Sequence, residues 1–183
     1  EETFATNLNM SGKWCHSGDA YITNGVLTFD WLTGGYDSGH YCFTRDRFQR
    51  VRGLRTETRI RFVNTASEVV FGFKTDNESN THWNQWVYGL HNHNGTLYFV
   101  EGGTHTSLGP IIAANVWYDW RIELKAGSGA RYYVKRADET EWTLVRDSTY
   151  SSDAWFRRGY HNYHGSFEAD SYQEYAAGVA PVY

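Results

Sequence analysis

At 183 residues and a formal net charge of −4, the chain is the size of one large domain and lacks the basic stripe that nucleic-acid binding requires. No stretch approaches the roughly 18 consecutive apolar residues of a membrane-spanning helix, so no membrane insertion is expected. Aromatic residues make up 17% of the chain, and we expect some of these rings on a surface because a single domain has a limited number of inward positions. Neither a linker nor an internal repeat interrupts residues 1–183, which we interpret as a single domain.

The predicted elements begin with a hairpin near the N-terminus. Residues 20–23 and 26–29 flank Asn24-Gly25, a dipeptide that favours the tight two-residue turn of a β-hairpin. A Gly-rich loop follows, and a short strand is predicted at 41–43. Ordered structure is expected to begin at Trp14, because the residues before it show no clear period.

The chain has two cysteines, Cys15 and Cys42. In a secreted domain this pair predicts one disulfide that ties the N-terminal strand to its neighbour, and two buried thiols are the alternative. With His16 and His40 the cysteines also offer zinc ligands, but their spacing matches no zinc pattern known to us.

Further strands are predicted where apolar and polar residues alternate with a period of two. Residues 57–63 show this alternation, and residues 115–125 show it at their end, where Trp120, Ile122 and Leu124 are expected to face inward. Strands are also predicted at residues 68–74, 130–135 and 141–145. Strand signals recur about every ten residues, and no segment has the pattern of a helix three turns long. The sequence therefore predicts an all-β, two-sheet antiparallel β-sandwich.

Five arginines cluster between residues 45 and 55, in a stretch that connects two predicted strands. We interpret this cluster as a solvated connector. An acidic or sulfated polysaccharide partner is the alternative interpretation, because guanidinium groups match the geometry of such anions.

Residues 81–100 carry the strongest functional signal. Two aromatic strands flank an Asn94-Gly95 turn, and the first mixes flat rings with amide and imidazole groups. That mixture is typical of a surface that stacks on a sugar ring and hydrogen-bonds its hydroxyls. Regular alternation places Trp86 and Tyr88 on one face and Trp83 on the other, unless a bulge brings Trp83 and Trp86 together. The candidate binding residues of this hairpin are His82, Trp83, Asn84, Trp86, Tyr88, His91 and His93, with Gln85 beside them.

A second segment of similar character lies at 155–164. Arg157 and Arg158 offer guanidinium forks that match a uronate carboxylate. We expect this segment to face the first hairpin across a ligand groove. Its candidate binding residues are Trp155, Arg158, Tyr160, Asn162 and His164, of which the last three are predicted to share one face.

Several segments in their order resemble the concanavalin A-like (laminin-G-like) jelly-roll superfamily. The hairpin that follows Trp14 is similar to the first hairpin of that superfamily, and residues 117–124 resemble its middle strands. Residues 158–175, in which a Gly leads into a strand with Asp170 and a terminal Tyr175, resemble its closing strand. The resemblance covers essentially the whole chain and implies two antiparallel sheets, one of them concave, with ligands in the groove or on its edge loops.

The same resemblance implies a structural calcium near the chain ends, and Asp170 is the acidic residue that matches the motif. Calcium takes six to eight oxygen ligands, and the sequence does not identify the others. The alternative is that Asp170 accepts hydrogen bonds from a neighbouring turn.

From these observations we predict a non-catalytic carbohydrate-binding module of a larger secreted glycan-degrading enzyme. It would be monomeric, attached to other domains, and would bind a polysaccharide or oligosaccharide, with acidic glycans foremost. The resemblance does not decide activity, so two alternatives remain: a small jelly-roll lyase or hydrolase, and a laminin-G-like protein-binding or adhesion domain. No glycosidase motif of paired carboxylates is evident.

His91 and His93 also form a His-x-His half-site for zinc or copper, but polar residues beside a turn need no metal.

Overall fold

A computed structural model describes residues 2–3, 14–17, 20–30, 40–44, 53–75, 83–152 and 154–175. The helical structure in these ranges is one 3-10 turn at Trp83–Gln85, and the remainder is strands and turns. The strands are β1 (Glu2–Thr3), β2 (Trp14–Ser17), β3 (Ala20–Thr23), β4 (Val26–Phe29), β5 (His40–Thr44), β6 (Arg55–Phe62), β7 (Glu68–Thr75), β8 (Trp86–His93), β9 (Thr96–Glu101), β10 (Thr104–Gly109), β11 (Trp117–Leu124), β12 (Ala130–Arg136), β13 (Thr143–Asp147), β14 (Phe156–His164) and β15 (Phe167–Tyr175).

The strands form two antiparallel sheets that pack face to face. Sheet I has the order β13-β12-β11-β6-β15-β4-β3, with β1 also paired to β15, and sheet II has the order β10-β9-β8-β7-β14-β5-β2. The late strands β14 and β15 each lie between early strands, so each sheet contains pairings between strands that are far apart in the sequence. The predicted all-β, two-sheet jelly-roll sandwich is confirmed. Within the described ranges, no helix is both long and apolar enough to span a bilayer.

Both predicted Asn-Gly turns are present and have the backbone that the dipeptide favours. Asn24 and Gly25 have φ of 53° and 80°, and Asn94 and Gly95 have φ of 51° and 76°. Positive φ at both central residues gives a turn whose twist matches that of the two flanking strands. These turns set the registers of the β3–β4 and β8–β9 hairpins.

The alternation predicted for sheet I is seen residue by residue. Strands β6 and β11 alternate strictly between half-buried and buried positions. Trp120, Ile122 and Leu124 face the core as predicted, and each is fully buried. Burying side chains of this size stabilises the fold by about 1.5–3 kcal/mol each.

Two buried tyrosines connect the sheets by hydrogen bonds. Tyr160 of sheet II and Thr58 of sheet I share a hydrogen bond of 2.5 Å between their hydroxyls. Tyr132 of sheet I donates to Glu101 of sheet II at 2.8 Å. Burial, and then the Glu101 carboxylate, raise the pKa of Tyr132 well above its ordinary value of 10.0, so this donor keeps its proton.

The structure differs from the predicted elements at three places. The short β1, which the sequence pattern did not indicate, pairs with β15 through Glu2 and Thr3. The predicted closing strand at 158–175 is a hairpin, because Gly165 turns the chain with a φ of 74°. Strand β8 begins only at Trp86, since the preceding residues form the 3-10 turn.

The predicted disulfide is not shown by the structure. Strands β2 and β5 are neighbours, but Cys15 pairs with Phe43 and Cys42 pairs with His16. Cys42 points into the core, while the side chain of Cys15 lies outside the described residues.

Candidate functional site

The predicted sugar-binding hairpin lies in sheet II, where a bulge changes which side chains face outward. Phe73 pairs with Tyr88, whereas the next residue, Lys74, pairs with Trp86, so Val87 is an extra residue in β8. Trp86 therefore points to the outer face of sheet II, while Val87 and Tyr88 both pack in the core between the sheets. The prediction that Trp86 and Tyr88 share a face is wrong, because it assumed an unbroken alternation.

Trp86 is not exposed on this outer face. It packs in a second hydrophobic cluster whose members are Phe43, Val70, Trp86, Val100 and Tyr163, each at most 4% exposed. The Trp86 indole Nε1 donates to the Tyr163 hydroxyl at 3.3 Å, and its ring centroid lies 5.8 Å from that of Phe43. We call these five residues the outer aromatic cluster. In this arrangement Trp86 has no free face on which a sugar could stack.

Three glycines lie in a row across sheet II beneath this cluster. Gly72 pairs with Gly89 on one side and with Gly159 on the other. A Cβ on Gly159 would lie 1.9 Å from the carbonyl oxygen of Cys42, so only glycine fits between these strands. A Cβ on Gly89 would lie 3.0 Å from Cγ1 of Val70, which is a tight contact, and 3.5 Å from the Trp86 ring, which is an ordinary one.

Three other predicted residues of β8 and β14 are buried. Tyr88 and Tyr160 are fully buried between the sheets, and the Tyr88 hydroxyl donates to the carbonyl oxygen of Tyr150 at 3.1 Å. Asn162 is buried and donates to the carbonyl oxygen of Gly165 at 2.7 Å. These three side chains serve packing and turn formation in the structure, and they present no surface to a ligand.

The arginines of the tail segment are also largely buried. Arg157 donates from Nη1 to the carbonyl oxygen of Thr44 at 3.2 Å, and Arg158 is 8% exposed. Strand β14 pairs with β7, which in turn pairs with β8, so the two segments lie in one sheet with one strand between them. That they border a common ligand groove stays a prediction.

Some predicted residues do lie on the surface. Trp155 is 51% exposed, and Asn84 and His164 are also exposed. Gln85 donates to Asn84 at 2.9 Å and accepts from Thr75 at 2.6 Å, which holds the 3-10 turn before β8. His82 and the side chain of Trp83 lie outside the described residues.

At the far end of the outer face of sheet II, imidazoles and a carboxylate converge. Glu68 Oε1 lies 2.7 Å from Nδ1 of His93, and the ring centroids of His91 and His105 are 4.9 Å apart. Burial lowers the pKa of His91 well below its ordinary 6.5, and nearby His105, His93 and His161 add to the effect. The pKa of His105 is lowered as well, by burial and then by His93.

The outer face of sheet I is different, because it holds an open groove. The groove encloses about 270 Å³ and crosses strands β6, β11, β12 and β15. We call it the sheet I groove; it is lined by Arg55, Glu57, Thr58, Arg59, Asp119, Arg121, Lys135, Thr140, Trp142, Ser171, Gln173 and Tyr175. Its four cations and two carboxylates leave a formal excess of two positive charges.

Ion pairs hold the charged side chains of the groove in place. Asp119 accepts from both Nε and Nη2 of Arg59, at 2.8 and 3.2 Å, and lies 3.4 Å from the Lys135 ammonium. Glu57 Oε1 lies 2.6 Å from Nε of Arg121 and 2.8 Å from Nε of Arg55. A guanidinium has five N–H donors, and the contact with Glu57 uses one of those of Arg121.

Two aromatic rings complete the walls of the groove. The Arg121 guanidinium lies 3.9 Å from the centroid of the Trp142 ring, and that of Arg55 lies 3.9 Å from the Tyr175 ring. A cation over a ring face is attracted by the ring quadrupole and fixes the ring's orientation. The groove thus combines oriented rings with fixed hydrogen-bonding groups.

None of the groove residues was among the candidate binding residues, although Arg55 belongs to the arginine cluster for which an acidic or sulfated polysaccharide was the alternative partner. The signal that identifies them is the outward half of two alternating strands, where β6 presents Arg55, Glu57 and Arg59 and β11 presents Asp119 and Arg121. Read one strand at a time, this pattern indicates only a solvated face. The groove becomes apparent when the pairing places Arg121 opposite Glu57 and Asp119 opposite Arg59.

Five glutamates that could supply the carboxylates of a glycosidase each have a partner. Glu57 pairs with Arg121, Glu68 with His93, and Glu168 with Arg61. Glu101 accepts from Tyr132, and Glu123 lies 3.9 Å from Arg131.

The predicted calcium at Asp170 is not shown. Asp170 lies at an irregularity in the pairing of β15 with β6, between Ala169 and Ser171. Among the described residues, the one group of His, Cys, Asp and Glu side chains with metal-ligand spacing consists of Glu68, His91 and His93. Calcium binding at Asp170 therefore stays a prediction.

Comparisons with known proteins identify the fold. No family model and no curated protein matches the sequence. Among solved structures, the Emp47p carbohydrate recognition domain has a TM-score of 0.65 and 16% identity, over 90% of this chain and 88% of that one. The legume lectin-like domain from Entamoeba histolytica has a TM-score of 0.67 and 8% identity, over 93% and 92%. The carbohydrate binding module CBM66 from Bacillus subtilis has a TM-score of 0.58 and 13% identity, over 90% and 96%.

At these identities the likeness concerns architecture rather than individual residues. It agrees with the two antiparallel sheets and the strand order described above. The chain therefore has the concanavalin A-like, lectin-type β-sandwich fold that its sequence resembles.

Proposed function

We propose that this domain binds a polysaccharide or oligosaccharide in the sheet I groove. The observation that carries the proposal is the meeting of two oriented rings, Trp142 and Tyr175, with fixed charged and polar side chains around one open cavity of about 270 Å³. Structures of the same fold include proteins named as carbohydrate recognition domains and a carbohydrate binding module, which agrees with this use of the fold.

The chemistry of the groove suits a sugar. A sugar ring has an apolar C–H face, which gains by burial against an aromatic side chain, and a rim of hydroxyls that need hydrogen-bond partners. Trp142 offers the apolar surface, while Glu57 and Asp119 offer acceptors and the arginines offer donors. Thr58, Ser171 and Gln173 add neutral groups that can donate or accept.

The charge of the groove favours an acidic glycan. Four cations face two carboxylates, so a uronate or sulfate group entering the groove meets a net positive site. This assigns the acidic-glycan hypothesis to Arg55, Arg59, Arg121 and Lys135, of which Arg55 belongs to the arginine cluster already considered for such a partner. Arg157 and Arg158, the other arginines considered, are buried in sheet II.

The setting we propose for the domain follows from the same ligand. A domain that holds a polymer without cleaving it is useful when attached to a secreted enzyme that degrades that polymer. We therefore propose an extracellular, monomeric binding module joined to other domains.

The test of the proposal is binding to a panel of soluble neutral and acidic polysaccharides, followed by titration calorimetry with the polymer that is retained. Trp142→Ala is expected to weaken binding at least about tenfold, because buried aromatic anchors dominate such contacts. Trp155→Ala is the matched control, since Trp155 is exposed but is not among the groove-lining residues, and it should keep full affinity. Loss of affinity in Trp155→Ala with none in Trp142→Ala would move the site to the end of the sandwich.

The charge preference is tested separately, with a uronic-acid polymer and the same polymer after reduction of its carboxyl groups. The acidic form should bind more tightly, and its advantage should shrink as salt is added. Lys135→Gln should reduce the advantage without affecting the reduced polymer. Equal affinity for both forms would contradict recognition of charge while leaving the groove itself in place, and retention of no polymer at all would refute the proposed function.

A further inference from the structure

The outer face of sheet II carries a second cluster of functional groups that glycan binding does not use. Strand alternation brings Glu68 of β7 and His91 and His93 of β8 to this face, beside the outer aromatic cluster. One ligand atom from each of the three side chains lies within 4.8 Å of the other two. His105 of β10 and Tyr98 of β9 border the group, with ring centroids 4.9 and 6.0 Å from that of His91.

His91 is the least explained polar side chain of the cluster. It is 5% exposed, and across the described part of the chain neither its Nδ1 nor its Nε2 has a hydrogen-bond partner. Buried polar atoms are nearly always satisfied, and an exception requires an explanation such as a water or an ion. One ring nitrogen of an unprotonated imidazole carries a lone pair that can bind a cation, and one ligand atom of His91 lies within 4.8 Å of one from Glu68 and one from His93.

We propose that Glu68, His91 and His93 form a binding site for a first-row transition-metal dication, of which zinc is the representative. Two imidazole nitrogens and one carboxylate are a known zinc donor set, and they leave a fourth position open to water or another ligand. Calcium and magnesium are poor candidates because they prefer oxygen ligands throughout. Within the described residues this is also the one group of side chains with metal-ligand spacing.

The geometry needs only small side-chain movements. Ligand atoms at about 2.0 Å from a tetrahedral zinc are about 3.3 Å apart, and the three atoms here are within 4.8 Å of one another. Glu68 and His93 already approach to 2.7 Å. The His93 side chain is 39% exposed, which gives an ion a path from solvent to the buried His91.

The position of His91 on β8 is well defined, because Val70 on β7 and Tyr98 on β9 pair directly with it. A ligand on a strand paired on both sides is held with little freedom, which favours a preformed site.

The test uses the whole chain after removal of metals with a chelator. Titration calorimetry with ZnCl₂ should show one equivalent bound, and Co²⁺ should give the visible absorption of a low-symmetry site with nitrogen and oxygen ligands. His93→Ala should weaken zinc binding by at least about 100-fold, and Glu68→Gln by at least about tenfold, since even groups that only support ligands change affinity by about 10–100-fold.

Asp138→Asn is the control, because this exposed carboxylate follows β12 of the other sheet and lies outside the group. It should keep the affinity and stoichiometry of the parent chain. His93 and Glu68 are preferred to His91 for substitution, because His93 is half-exposed and Glu68→Gln preserves shape; near-ultraviolet circular dichroism of each variant confirms folding. The absence of stoichiometric zinc binding, or binding that is equal in folded His93→Ala and in the control, would overturn the proposal. Neither result bears on the sheet I groove, which lies on the other sheet.

Discussion

The outer faces of the two sheets use the same strand geometry for opposite purposes. On sheet I, β6 and β11 alternate between buried and half-buried residues, and the outward half is a lattice of arginine, lysine and carboxylate around an open groove. On sheet II, β7 and β8 are buried at every position but their last, so both faces of the sheet are buried along these two strands. The outward residues there include Trp86 and Tyr163 rather than ion pairs.

This difference shows that an aromatic-rich strand is not by itself evidence for a binding surface. The sequence of β8 has the residue types of a sugar platform, yet Trp86 and Tyr88 are both fully buried. The charged strands of sheet I look ordinary in sequence, yet they form the accessible groove. A strand with a wet face shows a strict alternation, whereas a strand buried on both faces mixes apolar and polar residues without that period.

The largest expected effect is that of Trp86→Ala in the outer aromatic cluster. Removing a fully buried indole leaves a cavity beside Phe43 and Val70 and takes away the donor to Tyr163, so we expect a loss of about 3–5 kcal/mol in the free energy of unfolding. Urea unfolding monitored by circular dichroism measures it. Folded Trp86→Ala protein should keep its glycan affinity, because Trp86 is not in the groove.

Trp155→Ala is the control for this measurement, because its side chain is 51% exposed. Surface substitutions of this kind change stability by no more than about 0.5 kcal/mol. If Trp86→Ala cost as little as Trp155→Ala, the outer face of sheet II would be open rather than dry, and the comparison of the two faces would fail.

We expect alkaline pH to have an intermediate effect on the free energy of unfolding. Tyr160 of β14 should contribute more to this effect than Tyr175 of the groove. Burial raises the pKa of Tyr160 well above 10.0, against an opposing effect of its hydrogen bond with Thr58. In the unfolded chain this tyrosine loses its proton near pH 10, before it does so in the folded protein. The contribution of Tyr160 to the free energy of unfolding is therefore fully present below about pH 10. Above that pH the free energy of unfolding falls by about 1.4 kcal/mol per pH unit because of Tyr160.

The measurement is the free energy of unfolding at about pH 9 and about pH 11. Tyr160→Phe should reduce the alkaline loss, while its own cost at neutral pH reflects the missing hydrogen bond with Thr58. The pKa of Tyr175 is also raised, by burial and then by Glu57, but this side chain is only half-buried. Tyr175→Phe should therefore change the alkaline loss less, and an equal effect of both variants would contradict the assignment of Tyr160 to a dry core.

The smallest expected effect is that of Asp119→Asn on the wet face. Asp119 pairs with Arg59 and Lys135, and the Arg59 side chain is 40% exposed, so solvent screens the pair. We expect a loss of about 1 kcal/mol or less in the free energy of unfolding, decreasing as salt is added. Asp138→Asn is the matched control: its pair with Arg136 is more exposed and should contribute nothing measurable. A loss as large as that of Trp86→Ala would mean that the groove is a buried ionic core.

Much of the fold was predictable because its signals are local. The Asn24-Gly25 and Asn94-Gly95 turns depend on the φ preferences of two adjacent residues. The alternation of β11 depends on neighbours two positions apart. Such signals identify strands and hairpins, and a succession of them over the whole chain predicts a sandwich.

The candidate site was not predictable in the same way. Val87 is an extra residue in β8, and one extra residue reverses the direction of every side chain that follows it. The groove draws Glu57, Asp119, Trp142 and Tyr175 from four separate stretches of the chain. Neither feature has a signal within a single strand.

The sequence by itself thus determined the all-β class, the two tight hairpins and the inward residues of β6 and β11, because backbone sterics and a period of two act over a few residues. Only the tertiary structure decided that Trp86 is buried, that β14 lies beside β7, and which charged strands meet to form the groove. These outcomes depend on register between strands far apart in the chain, and register is set by the packing of the whole sandwich.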